Sequence, residues 1–332
     1  MFILLPCCCF ASEIGVSADS AVVTDAGTGK ILFEKNSHKR RPIASTTKLM
    51  TCLIACESGK LKSVVTVTDE MLYGTEGTLI YLKTGDTVSL LDLVKGAMLA
   101  SGNDAANAIA VFLGGSVREF VKEMNARANE IGMNDTTFVT PSRLDEGEHK
   151  STAYDMSLLA SQAVTNSTLM QIACLTATEI TVSGKVQTIY NHNKLLSYDK
   201  NFVGLKTGFT KKAGRCLVSA YRYGGSVIVT VTLSAPDDWN DHKTLVNAAK
   251  KWYKRISKNQ TLSINTVGAV KNSVKVAYSY ECCTLSDVTV KEYYYPFAYA
   301  PVTKGQILGR ADVYVGKVFV QTIDIIATEG IT

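Results

Sequence analysis

The apolar positions of this chain change period along its length. Ser20–Asn36 (SAVVTDAGTGKILFEKN) holds two short β-rich runs around Asp25-Ala26-Gly27-Thr28-Gly29, which predicts a hairpin with a glycine-rich turn. After the break at Pro42 the period becomes helical. Leu49, Cys52, Leu53 and Cys56 recur on one face, Ser45, Thr46 and Thr47 offer N-caps, and Gly59 ends the run. Further helices are expected over Val88–Ala100, Asp104–Gly115, Val117–Gly132 and Ser151–Val164, the last capped by Ser151 or Thr152. From Leu205 the texture returns to strand in GLKTGFT, RCLVSAYRY and SVIVTVTLS, with Gly224-Gly225 turning the last two into a hairpin. Asn240–Ser257 reads as a closing helix. From Asn259 onward, short alternating runs of Tyr, Val and Thr predict strands alone.

This order fits an α/β (α+β) fold. The early hairpin and the late strands complete one antiparallel sheet, and a block of helices packs on it. At 332 residues the chain is long enough for two domains. The expected division is a leading segment at 1–11, a main domain at 12–257 and a small β-rich domain at 258–332. The last is small for a free core, so it is expected to lean on the first.

Composition narrows the classes. Hydrophobic residues at 46% and charged residues at 20% are ordinary globular values and exclude a disordered chain. The net charge of +5 is scattered, with no basic run interleaved with aromatics, so no nucleic-acid partner is expected. A weak attraction to an anionic cell envelope, and with it peripheral membrane association, is compatible with that charge. No run of 18 apolar residues occurs, so no transmembrane helix is expected.

Residues 1–11 (MFILLPCCCFA) are apolar up to Ser12-Glu13, with Cys9 and Ala11 at the −3 and −1 places of a cut. They read as the end of a secretory signal without its basic front, which implies extracytoplasmic action; a buried first strand is the other reading. Of nine cysteines, Cys7, Cys8 and Cys9 fall in that segment, and Cys52, Cys56 and Cys216 read as small core residues. There is no C-x-x-C pair, and His38, His149, His192 and His242 lack metal-ligand spacing. Neither a metal, a cofactor nor a disulfide framework is expected.

Three short motifs carry candidate chemistry. Ser45-Thr46-Thr47-Lys48 puts a hydroxyl and an amine three residues apart on one helix face. Serine is a weak nucleophile that needs a base, and lysine serves as one if burial or a second cation lowers its pKa. Taken alone, S-x-x-K is common by chance, and a serine before a helix is ordinarily a cap. Ser101-Gly102-Asn103, between two helices, offers a hydroxyl for proton relay and an amide for a carbonyl or for the lysine. Its bland reading is a helix stop followed by a cap.

The tetrapeptide LKTG occurs twice. Leu82-Lys83-Thr84-Gly85 is followed by Asp86-Thr87 and reads as a turn before a helix. Leu205-Lys206-Thr207-Gly208 lies in a β run before Phe209. There a strand edge can pair with an extended peptide, and the glycine lets that backbone approach. Lys206 and Thr207 would face a carboxylate, and Lys206 is the second cation that could depress Lys48. Only this copy follows S-x-N, which makes the first copy an echo. The ordered set S-x-x-K, S-x-N, K-T-G on helix, loop and strand is that of penicillin-binding proteins and class A β-lactamases.

The stretches SAVVTDAGTGKILFEKN, RPIASTTKLMT, LVKGAMLASGNDAANAIA, STAYDMSLLA and VGLKTGFTKKAGRCLVSA resemble the low-molecular-weight D-alanyl-D-alanine carboxypeptidases, serine peptidases of family S11. The likeness runs from about Ser17 to Arg255 and is greatest to the sporulation-type and vegetative enzymes of Gram-positive bacteria. PVTKGQILGRADVY (Pro301 to Tyr314) resembles the small β domain that follows in that family. The resemblance implies a β-lactamase/transpeptidase-like domain, peptidoglycan stem peptides ending in D-Ala-D-Ala as substrate, and β-lactam antibiotics as inhibitors. It implies Ser45 as nucleophile, Lys48 as base and Ser101 as proton relay to the leaving D-Ala. Asn103 would bind the peptide backbone, Lys206 and Thr207 the carboxylate, and the main-chain N–H groups of Ser45 and Phe209 the oxyanion, with Gly208 between.

Three features depart from the family. Phe209 stands where a histidine is frequent, TPSRLDEGEH (Thr140 to His149) replaces a tighter turn, and VFVQTIDIIA is followed by no amphipathic anchoring helix. Other readings share the residues: a β-lactamase using Glu146 or Glu148 for its water, a peptidoglycan-recognition module with little turnover, and a cross-link endopeptidase.

Overall fold

The computed structural model describes residues 14–142, 147–285, 287–316 and 318–332. The signal segment expected at 1–11 lies outside them, as do Arg143 and Glu146. The chain forms two compact units. One takes the described residues up to Thr24 with Gly29–Tyr221 and Ile228–Ala249; the other takes Asp25–Thr28, Arg222–Val227 and Lys250–Thr332.

The larger unit is built on the expected sheet. Strands β1 (Ser20–Asp25) and β2 (Ile31–Lys35) form the early hairpin. Strands β7 (Phe202–Thr210), β8 (Gly214–Tyr223) and β9 (Ser226–Leu233) complete the order β2-β1-β9-β8-β7, and the β1–β2 and β7–β8 pairs are antiparallel. Every residue of β1 is buried, and seven of the eight in β9 are, so this sheet is covered on both faces. That is why its strands read as near-continuous apolar runs rather than alternating ones.

Helix α1 (Lys48–Glu57) is buried from Lys48 through Ala55, the mark of a central helix with neighbours on all sides. Helices α3 (Leu90–Met98), α4 (Asn103–Gly114), α5 (Val117–Glu130), α6 (Ala153–Thr165) and α7 (Ser167–Ala173) pack about it. The cap expected on Thr152 forms, accepting from Asp155 N–H, and Ser89 caps α3 by accepting from Asp92 N–H. Those expected on Ser45, Thr46 and Thr47 do not. Ala44–Thr47 is a 3₁₀ turn leading into α1, and the threonine hydroxyls donate backward, to the Ile43 and Ala44 carbonyls at 2.6 and 2.8 Å. Ser45 is thereby left without a capping duty.

A second sheet went unread in the sequence. Strands β3 (Val64–Thr66), β4 (Thr87–Ser89), β5 (Ala177–Val182) and β6 (Lys185–Tyr190) lie in that order, after the short helix α2 (Asp69–Leu72) for β4 onward in the chain. The β5–β6 hairpin turns at Ser183-Gly184, an alternating pattern of ordinary kind. The short helix α8 (Leu195–Tyr198) precedes β7.

Helix α9 spans Asp238–Lys250, not Asn240–Ser257. Residues from Lys254 onward pair with a following strand, and Arg255↔Cys283 and Ile256↔Cys282 fix their register. The helical spacing read there was the end of one helix run on into a strand. The smaller unit holds β10 (Lys254–Val267), β11 (Ser273–Thr284), β12 (Val288–Tyr294), β13 (Phe297–Tyr299), β14 (Ile307–Val315) and β15 (Val318–Ala327), in the order β12-β14-β15-β11-β10-β13. Its core, with Val274, Val276, Val313 and Ile325 fully buried, is its own. The unit also gathers two turns from earlier in the chain, which a single cut at 257/258 does not capture.

Candidate active site

The three motifs meet around one cleft of about 570 Å³. Ser45, Ser101, Thr207, Gly208 and Phe209 line it, together with Thr78, Asn191, His192, Lys194, Arg215, Asp238 and Trp239. Ser45 and Lys48 sit at the entry of α1. Lys48 is fully buried and donates to Ser45 Oγ at 3.0 Å, to Asn103 Oδ1 at 2.6 Å and to the Ser142 carbonyl at 3.4 Å. Asn103 is the first residue of α4 rather than its cap, so its amide is free to reach Lys48. The same amide donates to the Glu76 carbonyl, and its backbone N–H donates to the Thr78 carbonyl at 2.8 Å.

Two residues here lie in the left-handed backbone region without being glycine: Ala44 at φ +47°, just before Ser45, and Ser101 at φ +61°. Such positions cost on the order of 1–3 kcal/mol each and persist only when their surroundings enforce them. Part of that enforcement comes from Asp104. Its carboxylate accepts from the N–H groups of Ile80 and Leu82, pinning the segment that faces Ser101-Gly102-Asn103.

Strand β7 brings the third motif against the turn that holds Ser45. A Cβ added at Gly208 would stand 3.0 Å from both Ser45 N and Thr46 N, so glycine is what allows the strand to lie on that turn. Lys206 is 1% exposed and donates to the Thr207 carbonyl at 3.1 Å. Burial pulls its pKa from 10.5 down to about 8. Cys52 lies near enough to Lys206 and Lys48 to feel both charges, but burial outweighs them and pushes the thiol up, so it stays protonated as a core residue. Phe209 is exposed at the cleft and pairs across the ladder with Arg215.

The first LKTG copy is far simpler. Lys83 and Thr84 are exposed in a turn, where Asp86 accepts from Lys83 N–H at 2.8 Å. Glu148, one of the two carboxylates weighed for a β-lactamase, is exposed and ion-paired to Arg40 and Lys150.

Four contributions escaped the sequence reading. His149 is buried against the turn Ala44–Thr47. Val139 N–H donates to its Nδ1 at 2.9 Å, so the ring proton of neutral His149 is on Nε2 and points to Thr47 Oγ1 at 2.8 Å. Ser142 acts through its carbonyl, which no side-chain motif can signal. His192 is half-buried in the cleft wall; burial, then the charges of Lys206 and Lys48, hold its imidazole below its usual pKa. The Arg215–Asp238 ion pair, at 2.7 Å, lies beside the Trp239 ring, with the guanidinium 5.4 Å from the ring centre.

The sequence signature of the D-alanyl-D-alanine carboxypeptidase family, peptidase S11, matches residues 9–237. The chain belongs to this family. It is 35% identical over 229 residues to D-alanyl-D-alanine carboxypeptidase DacF of Bacillus subtilis, a match covering 68% of this chain and 59% of that one. The chain thus spans less than two thirds of that relative's length. The crystal structure of D-alanyl-D-alanine carboxypeptidase DacD from Francisella tularensis superposes with a TM-score of 0.67 at 25% identity, covering all of this chain and 96% of the other. The Streptomyces K15 DD-transpeptidase gives a TM-score of 0.67 at 29% identity, over 71% of this chain and 97% of the other. The α/β architecture expected from the sequence is the fold of these peptidases.

Proposed function

We propose that this S11 member is an extracytoplasmic serine D-Ala-D-Ala carboxypeptidase that trims the terminal D-alanine from peptidoglycan stem peptides. The observation that carries this reading is the placement of Lys48. Of its three hydrogen-bond neighbours named above, the Asn103 amide oxygen and the Ser142 carbonyl are acceptors only. A neutral amine can give hydrogens to them and turn its lone pair to Ser45, the one of the three that can itself donate a proton.

Ser45 Oγ attacks the carbonyl between the two D-alanines while Lys48 takes its proton. The main-chain N–H groups of Ser45 and Phe209, on either side of Gly208, receive the developing oxyanion. Lys206 and Thr207 hold the terminal carboxylate, and Ser101 passes a proton to the departing D-alanine nitrogen, which breaks the peptide bond. Asn103 holds Lys48 and the substrate backbone. Water then cleaves the ester on Ser45, releasing the shortened peptide. A β-lactam enters by the same attack and leaves Ser45 acylated. The ion-paired position of Glu148 favours this reading over a β-lactamase.

The test is release of D-alanine from diacetyl-Lys-D-Ala-D-Ala, with Ser45→Ala as control. Release that disappears in the variant supports the proposal. A folded wild-type chain that releases none, but is acylated by penicillin on Ser45, would be a recognition module; one that cleaves only cross-linked dimers would be an endopeptidase.

A further inference from the structure

The smaller unit carries a feature that its own folding does not explain. The run Tyr293-Tyr294-Tyr295-Pro296-Phe297-Ala298-Tyr299 holds five aromatic rings, and all five are exposed, Tyr295 at 81% and Tyr299 at 68%. Burying a ring is strongly favourable, so a contiguous cluster of partly to largely exposed rings marks a candidate binding surface. They line a groove of about 1200 Å³ in the smaller unit, to which β10, β14 and β15 also contribute.

The groove is not simply apolar. Arg310 pairs across the ladder with Tyr293 on one side and Asp324 on the other, and its guanidinium lies 5.1 Å from the centre of the Tyr293 ring. Glu292 opens into the same groove, its carboxylate accepting from the Tyr278 hydroxyl at 2.5 Å. Opposite Tyr294 stands Gly309. A Cβ there would meet the Tyr293 carbonyl at 2.6 Å and Tyr294 Cβ at 2.7 Å, so glycine is what lets β14 lie this close to the tyrosine run.

Ring faces beside a carboxylate and a guanidinium suit one ligand chemistry well. A pyranose ring has a face of axial C–H bonds that packs on an aromatic ring, and an equatorial rim of hydroxyls that needs paired donors and acceptors. Tyrosine supplies a rigid platform with a polar tip, at little cost in entropy. A lipid surface fits less well, because Glu292 and Asp324 would have to meet anionic headgroups. We infer that this groove binds a linear chain of pyranose sugars. On the reading of the larger unit given above, the source is the glycan polymer from which stem peptides hang. Holding the polymer would raise the local concentration of those peptides for the cleft.

The test uses the full chain and peptide-free glycan strands, titrated by calorimetry, with Tyr295→Ala and Tyr299→Ala as exposed substitutions that leave the melting temperature in place. Wild type is expected to bind, and each variant to bind about three- to tenfold more weakly. Release of D-alanine from the soluble tripeptide should be the same in all three, so loss of that release tests the peptidase reading separately. No binding by wild type, or binding unchanged in both variants, overturns the inference. So does attachment to phosphatidylglycerol vesicles, or concentration-dependent dimerisation, that needs the same tyrosines while glycan is ignored.

Discussion

Lys48 Nζ lies closer to Asn103 Oδ1, at 2.6 Å, than to Ser45 Oγ, at 3.0 Å. The amide therefore aims the amine as much as the nucleophile does. Asn103→Ala removes that acceptor from a buried nitrogen and lets the amine turn away. We expect kcat for D-alanine release to fall on the order of a hundredfold or more. Stability should fall by about 1–3 kcal/mol in urea unfolding, because a buried polar group loses its partner. Unchanged kcat would show that Lys48 is oriented without Asn103.

The second expectation concerns pH. Burial holds Lys206 at about 8, below the 10.5 of a free lysine. If its ammonium grips the substrate carboxylate, kcat/KM for a carboxylate-terminated peptide should decline as pH rises through about 8. Stability moves the other way. Between about 8 and 10.5 the unfolded chain binds this proton and the native chain does not, so this group raises native stability with pH across that window. Lys206→Met should flatten both trends. Urea midpoints at pH 8 and pH 10 for the two proteins check the second, and a kcat/KM profile checks the first.

The candidate residues were legible because the motifs are carried by side-chain identity and order. Ser45, Lys48, Ser101, Asn103, Lys206, Thr207, Gly208 and Phe209 form ordered motifs on the elements that periodicity predicts, and the structure brings them to one place. What stayed hidden depends on position instead. The Ser142 carbonyl acts whatever its side chain, and His149 reaches Thr47 across 102 residues of sequence. The end of α9 was misplaced because Tyr253, Ile256 and their neighbours suit either a helix or a strand; pairing with β11, a long-range effect, decides it. The β5–β6 hairpin was legible in its alternation and its Ser-Gly turn but was passed over between stronger signals.

His149 yields the third expectation. It ties the loop at Val139 to Thr47, whose hydroxyl in turn donates to the carbonyl of left-handed Ala44. Thr47→Val keeps the shape and cuts this chain of bonds at its middle. We expect kcat to fall about tenfold with KM little changed, since β7, the strand proposed to hold the carboxylate, is untouched. His149→Phe should go further and cost about 1–3 kcal/mol as well, because Val139 N–H loses its acceptor. A change confined to KM would mean that the clamp serves the substrate rather than the nucleophile.

The last expectation tests how tightly β7 must lie on the nucleophile turn. Gly208 faces Ser45 N and Thr46 N, where a Cβ would stand 3.0 Å away, and it faces Ala44 Cβ at 3.1 Å. These neighbours are main chain or the stub of a side chain, so none can swing aside. The backbone φ of Gly208 is not in the left-handed region, so alanine there is opposed by space and not by its own conformation. Gly208→Ala should push the strand and the turn apart by a few tenths of an ångström, moving the Phe209 and Ser45 N–H groups away from a shared oxyanion. Acylation by penicillin and release of D-alanine should then slow together, on the order of a hundredfold, while far-ultraviolet circular dichroism stays that of the wild type. Acylation at the wild-type rate would mean that the two N–H groups do not act as a pair, and the oxyanion site would have to be sought elsewhere along the cleft.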